Sequence, residues 1–351
     1  MNKRAISLMA ALTIALSGAC ALPSGTFGNF DIKTSAATVV AGGPCGESES
    51  CKNDVKWKFD TDGTLTIYGT GKMAEQSVLA TYSSDWKGFS KVGIIKKIVI
   101  EAGVTTISGH AFESCSSVES VYIANNVTKI SDSAFAYCSS LKTIIIPNSV
   151  TSIESVAFSG CTNLSSVTLP NKITSIESGV FLDCKNLSTI TIPKSVKRIS
   201  YGAFNGCTKL SKLTIPSSVT SIVNDAFVNC TSLKSITIPY TVTSIGEKAF
   251  GYDNNGNLIS DFKIVGYNYT AANGYATNNK ISFESLGNVP GDLDRNGTAD
   301  IDDLMLMQKA AAGWKVNSTV KAAADYNKDG SIDADDLVMV QKLVAGWNLD
   351  Q

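Results

Sequence analysis

Phe112, Phe135, Phe158, Phe181, Phe204, Phe227 and Phe250 recur at every twenty-third position. Five positions before each stands an isoleucine, from Ile107 to Ile245. Three positions after the first six stand Cys115, Cys138, Cys161, Cys184, Cys207 and Cys230, and Pro147, Pro170, Pro193, Pro216 and Pro239 keep the same step. A fixed period of this length specifies a solenoid, because one short unit cannot bury its own apolar face and must stack on its neighbours to do so. Each unit reads L-x-x-I-x-I-P-x-x-V-x-x-I-x-x-x-A-F-x-x-C. In the unit that begins at Leu141, Ile144 and Ile146 alternate with outward positions, the period of a half-buried strand. Pro147 ends that strand, since it cannot donate to a ladder. Val150 and Ile153 begin the return stretch, and Ala157, Phe158 and Cys161 close the coil from inside.

The AF-x-x-C-x-x-L-x-x-I-x-I-P core resembles the BspA-type leucine-rich repeat family, over roughly residues 57–283. Trp57-Lys58-Phe59 through Gly69-Thr70-Gly71 resembles the family's N-terminal cap, and Gly266-Tyr267 through Ile281-Ser282-Phe283 its C-terminal cap. Caps are a physical requirement, because an open sheet edge invites aggregation. The resemblance implies a mainly β fold, a leucine-rich-repeat solenoid of 23-residue repeats with N- and C-caps.

Chemistry on the solenoid is sparse. The chain carries 30 basic and 31 acidic residues, so no broad basic field marks a nucleic-acid binder. His110 is the sole histidine, which excludes histidine-based metal sites. Its place in the repeat holds Ser133, Val156, Gly179, Gly202, Asp225 and Lys248 elsewhere, a variability that reads as a solvent position. Glu154 and Glu177 occupy one repeat position on neighbouring rungs, a geometry open to a carboxylate pair. Nothing nearby offers an apolar pocket to raise one pKa, so they read as surface acids. The repeat cysteines read as small buried hydrophobes, because stacked positions have parallel Cβ vectors unsuited to disulfides. Cys45 and Cys51 lie outside the repeat and could pair in an exported chain. The outward strand positions are Tyr122, Ile145, Thr168, Thr191, Thr214 and Thr237, with one aromatic where a sugar platform wants several. No catalytic residues are assigned. The solenoid is expected to bind an unknown protein or carbohydrate ligand.

Composition breaks near Pro290. From Val289 onward there are 11 Asp, no Glu and 6 basic residues, a net charge of −5. Asp292, Asp294, Asn296, Thr298, Asp300 and Asp303 fall at positions 1, 3, 5, 7, 9 and 12 of an oxygen-rich loop with Gly297 at position 6. Asp325, Asn327, Asp329, Ser331, Asp333 and Asp336 repeat the pattern at the same spacings, with Gly330 at the turn. Such spacing suits calcium, a hard cation taking six to eight oxygens, with position 7 contributing its backbone carbonyl. Two Ca2+ ions are expected. An apolar-periodic helix follows each loop, around 304–309 and 337–342.

Two loop-plus-helix units, each helix ending in Ala-Gly-Trp, closely resemble the type I dockerin over residues 291–347. The resemblance implies a small α-helical module with two EF-hand-like calcium loops that plugs into the cohesin domain of a scaffoldin, typically in a cellulosome. It places cohesin contacts at loop positions 10 and 11 and on the helix: Ile301, Asp302, Gln308 and Lys309, and their copies Ala334, Asp335, Gln341 and Lys342. Because the halves match, two binding orientations related by a half-turn are open.

Lys3 and Arg4 precede an apolar run over positions 5–19, and Ala19-Cys20-Ala21 fits a signal-peptide cleavage site. Ser17-Gly18-Ala19-Cys20 partly matches a lipoprotein site, but plain secretion is the better reading. No other apolar run is long enough to span a membrane. The expected organisation is a signal peptide at 1–21, an N-terminal segment and cap at 22–92, the solenoid at 93–253, its C-terminal cap at 254–288, and the dockerin at 289–351. The expected function is a secreted, non-catalytic ligand-binding or adhesion solenoid, extracellular and cellulosome- or cell-surface-associated. The alternatives are an accessory cellulosomal enzyme in plant polysaccharide catabolism, or a structural spacer.

Overall fold

The structure, a computed structural model, describes residues 38–44, 54–74 and 94–346. The signal sequence, Cys20, Cys45, Cys51 and Trp347 lie outside them. The chain forms a β-solenoid whose turns keep the period of the phenylalanine series, followed by a helical C-terminal region. Its contacts divide it into two compact units, 1–170 and 171–351.

The first unit opens with β1 (Val39–Pro44), β2 (Val55–Asp60) and β3 (Thr64–Gly69), an antiparallel meander. Val55, Trp57, Phe59, Leu65 and Ile67 are buried in it, so the cap begins the core and the sheet together. Short β4 (Gly71–Lys72) follows. The chain then turns parallel: β5 (Lys97–Ile100) pairs with β3 in register, and β7 (Ser120–Ile123) pairs with β5. β6 (Val104–Ile107), β8 (Lys129–Ile130) and β10 (Ser152–Ile153) stack on β4 as a second parallel face. β9 (Thr143–Ile145) and β11 (Ser166–Thr168) continue the first face. Ile144 and Ile146 are 2% exposed while Ile145 is 55% exposed, the alternation that the repeat implies.

The second unit repeats both faces. β12 (Ser175–Ile176), β14 (Arg198–Ile199), β15 (Ser221–Ile222) and β17 (Ser244–Ile245) form one parallel sheet. β13 (Thr189–Ile190) lies on the other face, bridged from Thr189 to Lys212. On that face β16 (Ser235–Thr237) pairs with β18 (Lys263–Gly266), and β18 with β19 (Ser282–Ser285). Helix α1 (Ala271–Asn278) is part of the cap, an element that the sequence pattern did not announce.

Aromatic stacking runs inside each unit. Phe112, Phe135 and Phe158 have ring centroids 5.2 and 5.5 Å apart. Phe181, Phe204, Phe227 and Phe250 follow at 5.5, 5.1 and 4.8 Å. All seven rings are at most 1% exposed. Each stacked pair contributes about 0.5–1.5 kcal/mol beyond its area burial. Tyr275 of α1 ends the second series edge-on, 6.3 Å from Phe250 and at 84°. Its hydroxyl donates to the Phe250 carbonyl and accepts from the Phe250 N–H, both at 3.0 Å. The cap thus satisfies the backbone groups that the next rung would have taken.

The six repeat cysteines are buried and free. Sγ of Cys138 and Cys161, and of Cys207 and Cys230, donates to the carbonyl of the phenylalanine one repeat earlier at 3.2–3.3 Å. Burial pushes the Cys161 and Cys230 thiols up to about 12. Exposed hydroxyls make a second axial ladder. Thr128 and Thr151 each donate to the carbonyl at the equivalent position one repeat before, as do Thr220 and Thr243.

The third side of the coil depends on left-handed backbone. His110, Ser133, Val156, Gly179, Gly202, Asp225 and Lys248, two before each phenylalanine, all have φ between 49° and 60°. Two after it, Ser114, Tyr137, Gly160, Asp183, Gly206 and Asn229 have φ between 55° and 76°. With left-handed residues on either side of each phenylalanine, N–H groups aim along the axis: those of His110, Phe112 and Ser114 donate to the carbonyls of Asp132, Ala134 and Ala136 at 2.7–2.8 Å. The His110 position therefore carries a shared backbone constraint that its variable side chains do not show. His110 itself is half-buried, with Nδ1 2.9 Å from Glu113 and Nε2 3.7 Å from Asp132.

Left-handed φ is most costly for a β-branched side chain, at about 1–2 kcal/mol. Val156→Gly is expected to stabilise the protein by about 1 kcal/mol after glycine's own entropy cost, read as a higher thermal midpoint. Tyr275→Phe is expected to destabilise the C-terminal cap by about 1–3 kcal/mol, because two buried backbone groups lose their partner. Amide exchange at Phe250 would report it, and unchanged protection there would refute the capping role.

Candidate functional site

The C-terminal region packs three helices, α2 (Ile301–Ala311), α3 (Ser318–Ala324) and α4 (Ala334–Val344), around Leu293, Met307, Ala310, Val320, Ala324 and Val340. The two helices expected after the loops begin three residues earlier than the sequence reading placed them and stop before the Gly of Ala-Gly-Trp. Each begins at loop position 10, because positions 9 and 12 form its capping box. Helix α3 was not anticipated; Asn317 caps it by accepting from Val320 N–H at 2.8 Å.

The loops share one hydrogen-bond scaffold. In the first, Asp303 Oδ1 accepts from the N–H of Leu293 and Asp294 at 2.7 and 3.1 Å, and Oδ2 from Asp300 N–H at 2.9 Å. In the second, Asp336 Oδ1 accepts from Tyr326 and Asn327 at 2.8 and 3.1 Å, and Oδ2 from Asp333 at 3.1 Å. Both position-12 carboxylates are 0% exposed. Position 1 holds the turn from the other end: Asp292 accepts from Asn296 and Gly297 N–H, and Asp325 from Asp329 and Gly330. Gly297 and Gly330 have φ of 94° and 92°, which only glycine adopts freely.

Asp292, Asp294 and Asp303 bring one carboxylate oxygen each within 4.8 Å of one another. Burial raises the Asp292 carboxyl above the usual carboxylate range, Gly297 N–H opposes this, and Asp303 adds to the rise. Burial likewise raises Asp303. Three converging carboxylates call for a counter-charge, and an all-oxygen donor set on a tight glycine turn fits a hard divalent cation. Asn296 lies beside them, its N–H and side-chain amide on Asp294. Thr298 Oγ1, with one proton to donate, lies 2.6 Å from Asn296 Oδ1 and 3.0 Å from Asp300 Oδ2. Asp300 Oδ1 caps α2 through Asp302 N–H at 2.9 Å, which holds its carboxyl below the usual range. In the second loop Asn327 and Ser331 hydrogen-bond Asp329, and Asp333 caps α4.

The loops differ in surroundings. Asp292 is 2% exposed, and a Cβ on Gly297 would stand 2.3 Å from the Tyr269 carbonyl of the solenoid's cap. Nothing lies within 4 Å of the same point on Gly330. The first loop is packed against the cap and the second is open.

Of the expected partner contacts, Ile301, Asp302, Gln308, Lys309, Ala334, Asp335 and Gln341 are exposed and Lys342 is half-buried. Met305 and Val338, one turn beyond Ile301 and Ala334, are apolar yet 47% and 44% exposed. The sequence reading did not count them among the partner contacts, although they hold equivalent places in the two halves. Glu154 is tied to Lys129 at 2.8 Å and to Asp132 N–H, while Glu177 accepts from Ser175. Among the described residues no helix is long and apolar enough to cross a membrane.

Comparison with known proteins agrees with this geometry. Residues 85–211 and 128–257 match the BspA type leucine rich repeat region, in six copies, and 290–345 match the dockerin type I domain. No curated protein sequence matches the chain. Among solved structures, a leucine rich cell surface protein from Faecalibacterium prausnitzii is 23% identical over 62% of this chain and 76% of its own, with a TM-score of 0.39. The leucine-rich repeat protein of T. pallidum is 22% identical over 57% and 86%, with a TM-score of 0.41. One from Bacteroides ovatus is 21% identical over 61% and 70%, with a TM-score of 0.39. The phased repeats, their caps and the duplicated loop-and-helix region make this chain a BspA-type leucine-rich repeat protein with a C-terminal type I dockerin domain.

Proposed function

We propose that the protein is a secreted, non-catalytic ligand-binding or adhesion component, attached through its dockerin to the cohesin of a scaffoldin when calcium is bound. The observation that carries this reading is the duplicated loop scaffold, in which a fully buried Asp at position 12 ties the loop to the start of its helix in both halves. Two calcium ions are held, one per loop. Asp292, Asp294, Asn296, Asp300 and Asp303, with the Thr298 carbonyl, serve the first. Asp325, Asn327, Asp329, Asp333 and Asp336, with the Ser331 carbonyl, serve the second. The ions neutralise Asp clusters that otherwise repel one another, so the partner face depends on them. That face carries Ile301, Asp302, Gln308 and Lys309 and their copies Ala334, Asp335, Gln341 and Lys342, with Met305 and Val338 adding apolar area. The solenoid is the arm that meets a ligand outside the cell, at a cellulosome or cell surface.

Titration calorimetry of the full chain against a panel of cohesins, in calcium and then in excess chelator, tests the attachment. Tight binding in calcium and none in chelator is expected; equal affinity in both rejects it. Calcium at about a thousand times its dissociation constant should stabilise each loop by about 4 kcal/mol, visible as a higher thermal midpoint for loss of helix. Both copies of the face are exposed, so changing Ile301 and Asp302 to Ala should alter cohesin affinity by less than about threefold. Changing Asp302 and Asp335 together with Ile301 should cost about a hundredfold. A full loss from the first pair alone would show that one orientation is used.

A further inference from the structure

Residues 185–246 contain seven basic side chains and one acidic one, Asp225, on a chain whose net charge is −1. Four of the seven gather on one side of the second unit. Lys209 N–H donates to the Lys185 carbonyl at 3.2 Å, which sets these residues on adjacent rungs. Lys212 follows on the strand position bridged to Thr189. Ser232 N–H donates to the Thr208 carbonyl at 3.2 Å, which brings the rung of Lys234 beside that of Lys209. Lys185, Lys209, Lys212 and Lys234 are all exposed and form no ion pair among the described residues. Lys263, on the next rung, is neutralised by Glu284 and closes the stripe. The corresponding stretch of the first unit lacks this bias, with Glu119, Asp132 and Glu154 set against Lys129 and Lys142.

We propose that this lysine stripe binds an acidic polysaccharide, a linear polymer of uronic-acid sugars. The inference rests on the reading of the solenoid as a ligand-binding arm and names its ligand class. Lys209 and Lys212 share one rung, with Lys185 on the rung before and Lys234 on the rung after, so four cationic side chains fall on three rungs about 4.8 Å apart. A uronate chain repeats a carboxylate once per sugar along its own axis. The surrounding strand positions are exposed hydroxyls, Thr189, Thr191, Thr214, Ser235 and Thr237, which suit a ligand covered in hydroxyls. An acidic protein partner would take most of its affinity from apolar anchors, which these strand positions lack; a uronate chain would be held by charge and hydroxyl contacts here, without the aromatic stacking that a neutral-sugar platform uses. Lysine ammoniums act as mobile point charges, so the contact tolerates variation in the polymer and weakens with salt.

Full-length protein should bind polygalacturonate at low salt and fail to bind fully methyl-esterified polygalacturonate, which has lost its charges. The variant carrying Lys185→Ser, Lys209→Ser, Lys212→Ser and Lys234→Ser should lose about tenfold or more in affinity, while its thermal midpoint and its calcium-dependent cohesin binding are unchanged. All four changes are on exposed strand or turn positions, so folding is retained, and cohesin binding reports separately on the dockerin. Equal binding of the variant overturns the proposal, as does equal binding of the esterified polymer. Tighter binding to poly-glutamate than to polygalacturonate would assign the stripe to an acidic protein instead. Salt-sensitive self-association by sedimentation, without polymer binding, would assign it to the acidic dockerin of a second copy.

Discussion

Within each of its two units, the turns of this protein are held by bonds that run along the axis of the coil to the turns beside them. On the two strand faces these are parallel ladders, and on the third side they come from residues forced into left-handed backbone on either side of each phenylalanine. The stacked rings and exposed threonine hydroxyls reach the equivalent residue one repeat away, and the buried thiols reach the phenylalanine carbonyl of the repeat before. Inside one repeat the backbone bonds are short-range turns such as Cys115 N–H to the Phe112 carbonyl and Val118 N–H to the Cys115 carbonyl, which bury no apolar face. Stability then comes from neighbours, and the two ends become the problem that the fold must solve.

The ends are solved differently. At the start, an antiparallel meander with Trp57 and Phe59 buried supplies a finished sheet for the first parallel strand. At the other end, Tyr275 stands edge-on to the last ring, and its hydroxyl occupies both backbone groups of Phe250. The dockerin's first loop then packs against that same cap through Gly297 and Tyr269. The second loop has no such support. Matching sequence in the two halves therefore does not give matching surroundings.

The repeat was readable because its positions are phase-locked: one missing phenylalanine or isoleucine would leave a void repeated nowhere else in the stack. The loops were readable because oxygen-bearing residues recur at fixed spacings around a turn glycine in both halves. The left-handed positions were not. His110, Val156, Gly179 and Lys248 share no side-chain property, and backbone conformation leaves no mark when glycine is used in only two of seven copies. Helices α1 and α3 were also missed, since such short segments with weak apolar periodicity give little to detect. Met305 and Val338 carry no mark in the sequence that separates an exposed apolar helix position from a buried one, yet both are exposed.

What the sequence by itself determined is the period, the inward set of side chains, the strand face and the identity of the loop oxygens. These are local consequences of residue size, polarity and spacing. Only the tertiary structure decided which groups meet across rungs. It buried Asp303 and Asp336 as the pivots of their loops, gathered three carboxylates at the first loop, and set four lysines on one side of the second unit. Those arrangements depend on the register of one turn against the next. Register is set by packing and hydrogen bonding between residues far apart in the chain, which no single segment contains.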